Sequence, residues 1–208
     1  MEHDQQHKKF FSLEGKILVA SPNLGDGNFE RTLIYICMHD INGAIGVILN
    51  QSIGNISEAD LLKYVHATSK AKAAGEDIID IKKSIKDKKF PILFGGPLYT
   101  DKIVVLSMNK AQEKDFDLQQ SLTLYTDVKL FLDEYITKKK PKKLLFAKGI
   151  AAWDSNQLET ELMENSWFVV PPSVDLLFSQ KSKNKWDSVI KQLGLHNPHN
   201  LVSYIGHA

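Results

Sequence analysis

A polar stretch, GIAAWDSNQLETELMENSW at residues 149–167, concentrates side chains that could do chemistry. Three glutamates lie within it, and paired carboxylates often act together as general acid and general base. Glu159 and Glu161 are only two positions apart, so on a helix they point to different sides and cannot act as a coupled pair. The glutamates therefore predict a solvated helix surface rather than an acid–base dyad.

The start of the same stretch has the spacing of a junction between a strand and a helix. Asp154 can cap a helix, and Gln157 stands where a capping-box side chain reaches back to the backbone. This interpretation does not account for Trp153, which directly precedes the cap. That indole could anchor the junction by packing, or it could line a pocket.

Single residues elsewhere offer weaker chemistry. His39 lies at the end of an apolar run and could be a general base, as could Glu159, although a solvated turn histidine is the simpler interpretation. Cys37 lies inside that run, where a buried and inert thiol is usual. The seven histidines show no metal-ligand spacing, so we expect no metal site and no cofactor.

Two glycine motifs have partial features of ligand-binding loops. GDGNFE at 25–30 has two glycines of a dinucleotide fingerprint, but Glu30 occupies the third position and a strand follows instead of a helix. FGGP at 94–97 is interpreted as a structural turn. Gly95 and Gly96 would still permit close approach of a ligand or another backbone segment.

Composition bounds the class of protein. The chain has 208 residues, 43% of them hydrophobic, and 26 basic residues balance 25 acidic ones to a net charge of +1. Such a chain has no global field to attract nucleic acid, and Arg31 is its only arginine, which disfavours specific DNA recognition. One cysteine and the absence of a long apolar segment indicate a soluble cytoplasmic protein without membrane contact.

The order of predicted elements indicates an α+β single domain with a mixed, strongly curved sheet flanked by helices. A flexible tail at 1–10 precedes the domain at 11–208, and a Lys-rich surface insertion is expected around 67–89. Ser57 should cap a helix, with Asp60 three residues later. The remaining predictions are strands at 15–21, 31–39, 45–50, 90–97, 102–108 (paired with 90–97), 121–125, 142–150 and 167–170, and helices at 127–140, 174–179 and 184–194.

Several segments together are distinctive. They are LEGKILVASPNLGDGNFERTLIYICMHDINGAIGVILNQS (13–52), FGGPLYTDKIVVLS (94–107), GIAAWDSNQLETELMENSWFVVPPSVDLLF (149–178), KWDSVIKQLGL (185–195) and the terminal GHA (206–208). In order and spacing they resemble the YqgE/AlgH family of bacterial proteins. The resemblance implies a cytoplasmic α+β domain with coiled, bifurcated sheets. It implies no chemistry, and the family label of putative transcriptional regulator comes without a recognisable DNA-binding module.

The chain departs from the pattern that this resemblance implies. The family usually has Gly-Tyr-Ala-Gly-Trp and then a glycine before Gln-Leu-Glu, whereas this chain has Ile150, Ala152 and Asn156 at the three differing places. Val104 and Ser107 stand where the family often has Phe and His. A site that needs that tyrosine or histidine would be weakened here.

The leading hypothesis is a non-enzymatic binding or regulatory protein with a small molecule or a protein as its partner. Three loops, 22–31, 94–97 and 149–159, would converge into one cleft. The alternative is a hydrolase that uses His39 or Glu159 as a base, and direct DNA regulation is a third hypothesis. The expected lining of the cleft is Arg31, Asn50, Gly95, Gly96, Trp153, Gln157 and Glu159.

Overall fold

The computed structural model describes residues 10–68, 88–108, 118, 121–137, 140–179 and 184–195. The predicted tail at 1–10, apart from its last residue, lies outside these ranges. Most of the predicted Lys-rich insertion also lies outside them. Within the described ranges the chain forms nine strands in one mixed sheet, with five helices, so the predicted α+β single domain is confirmed.

The elements follow one another in chain order. They are β1 Ile17–Ala20, β2 Leu33–Asp40, β3 Gly43–Ile48, β4 Ser52–Ser57, α1 Glu58–Thr68, β5 Lys89–Phe94, β6 Leu98–Met108, β7 Leu122–Tyr125, α2 Val128–Thr137, β8 Lys143–Asp154, α3 Gln157–Met163, β9 Trp167–Val170, α4 Val174–Phe178 and α5 Lys185–Gln192. The predicted capping box is present at α1. The Asp60 N–H donates to Ser57 Oγ, and the Ser57 N–H donates to the Asp60 carboxylate, each at 3.1 Å.

Strand β8 is the centre of the sheet. The main strand order is β4-β5-β8-β3-β2-β1-β9, and β6, with β7 beside it, also pairs with β8. The first part of β8 lies between β5, which is parallel to it, and β6, which is antiparallel. Its last four residues, 151–154, pair with β3 instead. The sheet therefore divides into two arms where β8 passes Gly149, whose φ is 75°.

The predicted pairing of 90–97 with 102–108 is wrong. Ile92 of β5 and Val105 of β6 both lie opposite Phe146, one on each side of β8. The link from β5 to β6 crosses over β8 instead of folding back as a hairpin. Two glycines, Gly95 and Gly96, form this crossing and leave room for the backbone beneath them.

Two apolar clusters fill the molecule, one for each arm. The larger one lies against β1, β2 and β3, and β1 is buried at all four of its residues. The smaller one centres on Phe146, which is fully buried and packs against Phe90 and Phe131 at ring distances of 5.1 and 5.6 Å. Each such side chain contributes about 1.5–3 kcal/mol to folding, so both arms are held by their own core.

Candidate binding site

Trp153 and Gln157 are held by one carboxylate, that of Glu161 on α3. Glu161 Oε2 accepts from Trp153 Nε1 at 2.8 Å and from Trp167 Nε1 at 2.7 Å. Glu161 Oε1 accepts from Gln157 Nε2 at 2.9 Å. The two indoles are almost fully buried and meet edge to face at 6.0 Å. Glu161, predicted to lie on a solvated helix surface, therefore positions both Trp153 and Gln157.

The predicted cap at Asp154 is wrong in its main part. Asp154 ends β8, and α3 begins at Gln157 after Asn156, which has a left-handed φ of 61° and makes no side-chain capping bond. The predicted return of Gln157 is present, because its Oε1 accepts from the Asp154 N–H at 2.9 Å. The turn at Asn156 decides where the helix starts, and asparagine is among the residues that tolerate this conformation.

His39 and Glu159, the two candidate bases, contact each other at 3.0 Å between Nε2 and Oε1. His39 Nδ1 accepts from the Leu13 N–H at 2.9 Å, so this nitrogen carries no proton and Nε2 is the one that donates to Glu159. The His39 side chain is 1% exposed. Its only lone pair is thus used by a backbone donor, which leaves none for a substrate proton.

Arg31 and Asn50 form a separate group. The Arg31 guanidinium pairs with Asp187 and lies 4.5 Å from the ring centre of Trp186, so it is tied to α5. Asn50 Nδ2 donates to the Arg31 carbonyl at 2.8 Å, and Asn50 Oδ1 accepts from the Leu33 N–H at 2.9 Å. These two residues brace the loop that leads into β2.

Gly95 and Gly96 touch β8 at the point where the sheet divides. A Cβ added to Gly95 would lie 2.2 Å from the Gly149 oxygen, and one added to Gly96 would lie 2.2 Å from the Ile150 carbonyl carbon. Gly96 also has a φ of 149°, which side-chain residues rarely adopt. The close approach that the two glycines were expected to permit is made by backbone in this structure.

The contacts of the seven predicted residues therefore form separate groups. Trp153 and Gln157 share Glu161, Glu159 pairs with His39, Arg31 pairs with α5, and the glycines meet β8. Loops 22–31 and 149–159 do meet, because the Phe29 ring stacks on Trp153 at 6.2 Å. Whether these seven residues bind a ligand stays a prediction.

A groove opens in the fork between the two arms of the sheet, with a volume of about 480 Å³. One wall comes from β2 and β3, the other from β6 and β7, and β8 forms the floor. Its lining is mainly apolar and consists of Glu14, Cys37, Met38, Ile45, Tyr99, Lys102, Val104, Leu124, Thr126, Gly149 and Ile150.

The groove was not predicted from the sequence, because most of its lining residues lie on strands and carry no motif that indicates a binding site. A signal was nevertheless present at Val104 and Ile150. They are two of the positions where the chain has an aliphatic residue and the family resemblance expects an aromatic one. Both line the groove, so the smaller side chains leave it more room. Only the division of the sheet shows that these positions, 46 residues apart, share one cavity.

The groove has one acidic and one basic side chain among its described lining residues. Glu14 belongs to the segment before β1, and Lys102 lies on β6 with its Nζ 5.9 Å from the ring centre of Tyr99. Burial raises the pKa of the Cys37 thiol to about 12, and the Glu14 carboxylate adds to the shift. Cys37 is therefore a neutral thiol at physiological pH and contributes an apolar surface.

The residues that the structure describes contain neither a metal-binding cluster nor a membrane-spanning helix. No group of three or more His, Cys, Asp or Glu side chains there could hold a metal ion. None of the described helices is long and apolar enough to cross a bilayer.

Comparison with known proteins gives matches over nearly the whole chain. A family profile described as AlgH-like matches residues 17–198. A UPF0301 protein of Erwinia tasmaniensis is 32% identical over 198 residues, which cover 95% of this chain and 100% of the relative. A UPF0301 protein of Shewanella sp. (strain W3-18-1) is 34% identical over 200 residues, or 95% and 99% of the two chains.

Solved structures give a similar result. The solution structure of the AlgH protein from Pseudomonas aeruginosa matches with a TM-score of 0.61 and 26% identity, covering 96% of this chain and all of the other. A crystal structure of a protein from Corynebacterium diphtheriae matches with a TM-score of 0.59 over 88% of each chain, and at 20% identity it supports the fold alone. The family resemblance found in the sequence is thereby confirmed.

Proposed function

This chain belongs to the AlgH-like family, and we propose that it is a non-enzymatic binding protein that holds an apolar small molecule in the groove between the two arms of its sheet. The groove itself is the observation that carries the proposal. Its volume of about 480 Å³ lies within the roughly 300–1,000 Å³ usual for small-molecule sites, and such sites combine apolar walls with a few polar groups.

Solvent exposure at the rim supports ligand binding. Met38 is 46% exposed and Tyr99 is 63% exposed, although both are large apolar or aromatic side chains. Tyr99 also has a left-handed φ of 53°, a conformation that costs a residue with a side chain about 1 kcal/mol or more. Strained residues of this kind concentrate at ligand sites, and here the strain lies at the mouth of the groove.

The arrangement of the candidate bases favours binding over the alternative hydrolase. His39 would have to give up its bond from the Leu13 N–H before it could accept a substrate proton. Neither His39 nor Glu159 lines the groove. The only arginine, Arg31, is engaged with Asp187 and Trp186 instead of facing a phosphate, which also speaks against direct DNA binding.

A regulatory role is part of the proposal, as is a cytoplasmic location. A ligand in the fork would touch β2 and β3 on one arm and β6 on the other. It would therefore stabilise one relative arrangement of the two arms over others, and a partner that reads this arrangement would sense the ligand. The candidate glycines Gly95 and Gly96 would act indirectly by holding the floor of the groove.

A neutral fluorescent probe, N-phenyl-1-naphthylamine, tests the proposal. We expect saturable binding with an increase in fluorescence, and competition by dodecanol. The variants Val104→Phe and Ile150→Tyr enlarge two lining residues and should weaken probe binding by about tenfold or more, since each excludes several ligand atoms. Val169→Phe makes the same chemical change as the first variant at an exposed position on β9, so it should leave the affinity unchanged.

Circular dichroism and thermal melting would establish that each variant is folded. Ile150 is only partly buried, so its variant keeps the test valid if Val104→Phe overpacks the strand. Absence of saturable probe binding to the parent protein would refute the proposal. Equal affinity in both groove variants and the Val169→Phe control would also refute it, since the probe would then bind elsewhere.

A further inference from the structure

A second cavity shares part of its wall with the groove. It has a volume of about 430 Å³ and is lined by the side of α1, by β6 and by the start of α2. Its lining consists of Tyr64, Val65, Asp101, Lys102, Thr126, Asp127, Val128 and Lys129. Lys102 and Thr126 line both cavities, so they lie at the boundary between a mainly apolar chamber and a mainly polar one.

We infer that the ligand is a single-chain amphiphile with an anionic head group such as a carboxylate. Its apolar chain would lie in the groove, and its head group would lie at the boundary, bound by the Lys102 ammonium and the Thr126 hydroxyl. This inference rests on the proposed function, because it names the ligand class for the same groove. An apolar chamber that leads to a polar chamber matches a molecule with one apolar end and one polar end.

The charges around the groove set the orientation and the sign of the head group. Glu14 stands at the β2 wall beside Cys37, and its negative charge adds to the raised pKa of that thiol. An anionic head group would be attracted to Lys102 on β6. Lys102 is the only cation among the described residues that line the groove, so it is the one available counter-ion for an anionic head.

The polar chamber can accept a head group with little repulsion. Its two lysines, Lys102 and Lys129, balance its two aspartates. Of these, Asp127 already caps α2, because its Oδ1 accepts from the Lys129 N–H at 2.8 Å. The chamber is also open enough to keep a head group partly hydrated, which lowers the desolvation cost of binding an anion there.

Three ligands with the same twelve-carbon chain compare an anionic, a neutral and a cationic head group. Dodecanoate and dodecylamine would be used below the concentrations at which they form micelles, and dodecanol below its solubility limit, each in competition with N-phenyl-1-naphthylamine. We expect dodecanoate to bind about tenfold more tightly than dodecanol, the effect of one partly exposed charge-assisted hydrogen bond. This preference should decrease as the salt concentration rises, since the charge pair is screened.

Variants of Lys102 test whether this residue causes the preference for an anionic head group. Lys102→Met should abolish the preference for dodecanoate by weakening dodecanoate binding to the level of dodecanol, whereas Lys102→Arg should retain the preference. Lys63→Met makes the same change at a lysine on α1 whose side chain is 80% exposed, and it should have no effect. Glu14→Gln should bind dodecanoate at least as well as the parent protein, since it removes a repulsive charge.

The results of these experiments distinguish failure of the head-group inference from failure of the proposed binding function. If dodecanol and dodecanoate bind equally, or if Lys102→Met keeps the preference, the inference about the head group is refuted while the binding function stands. Tightest binding of dodecylamine would also refute it, because Glu14 would then be the partner of a cationic head. If neither the probe nor any twelve-carbon ligand binds, the proposed function fails as well.

Discussion

The carboxylate of Glu161 provides the sharpest test of how the strand–helix junction is built. It accepts hydrogen bonds from two buried indoles, Trp153 and Trp167, and from the Gln157 amide. Through these bonds it ties α3 to β8 on one side and to β9 on the other. Glu161→Leu keeps a similar volume but removes every acceptor, so both indole N–H groups would lose their partner.

The size of the stability loss expected for Glu161→Leu follows from the environment of each hydrogen bond. A hydrogen bond to a charged acceptor contributes about 1.5–3 kcal/mol, and a buried donor left without a partner loses a comparable amount. The two indole bonds are largely shielded, because Trp153 is 5% exposed and Trp167 is 3% exposed. The Gln157 bond is exposed and adds about 0.5 kcal/mol. We therefore expect Glu161→Leu to lower the free energy of unfolding by about 3–5 kcal/mol.

Glu161→Gln is the matched variant, since it keeps the shape and one carbonyl acceptor. It should lower the free energy of unfolding by only about 1–2 kcal/mol. Glu164→Leu makes the leucine change at an exposed glutamate just beyond α3 and should shift stability by about 0.5 kcal/mol or less. Urea unfolding, followed by circular dichroism and by tryptophan fluorescence, measures all three. A loss below about 1 kcal/mol for Glu161→Leu, or equal losses for the leucine and glutamine variants, would refute this reasoning.

Three other predictions concern single residues. Burial lowers the pKa of Lys185 to about 8 from 10.5, so the folded chain releases this proton at a lower pH than the unfolded chain does. Between those two pH values the free energy of unfolding should rise by about 2 kcal/mol relative to Lys185→Met. Urea unfolding across this pH range measures the change, and the absence of a rise would contradict the prediction. Cys37, with its pKa raised to about 12, should react with iodoacetamide at least about 100-fold more slowly in the folded chain than in urea. Dodecanol bound in the groove should slow this reaction further. Comparable reaction rates in the folded and unfolded chain would show that the thiol is not shielded. Gly96→Ala should destabilise the fold by about 3 kcal/mol or more, because the added Cβ would collide with the β8 backbone. Gly27→Ala, with no atom within 4 Å of the added Cβ, should change stability by about 0.5 kcal/mol or less. Equal shifts in melting temperature for the two variants would show that the close crossing of the chain over β8 is not what requires a glycine at position 96.

Local pattern was enough to find most elements but not every boundary. The apolar runs rich in β-branched and aromatic residues predicted β1, β2 and β9, and β1, which is buried at every residue, shows why such runs indicate strands. The exposed β4 strand was missed, since Ser52–Ser57 has four exposed residues and no apolar alternation at its start. The cap at Asp154 was misplaced because the left-handed turn at Asn156 depends on backbone conformation that the residue permits but does not require.

The candidate site residues also divide into features that the local sequence predicts and features that depend on distant partners. The sequence predicted the return of Gln157 to the backbone and left Trp153 without an explanation, but it could not show that both side chains bind Glu161. His39 looked like a solvated turn residue or a base, whereas the structure buries it between Leu13 and Glu159. Such partners are separated by 26 and 120 residues along the chain, so no local pattern reports them.

The sequence by itself determined the family, the α+β class and the capping of α1, because these depend on residue order and on contacts within a few positions. The tertiary structure alone decided how the strands pair. It placed β8 between β5 and β6, and the arms separate where β8 passes Gly149. The fork exists because one strand changes partners along its length, so its first part pairs with β5 and β6 and its end with β3. The groove between the arms has walls from chain segments that are distant in sequence, and only long-range strand pairing brings them together.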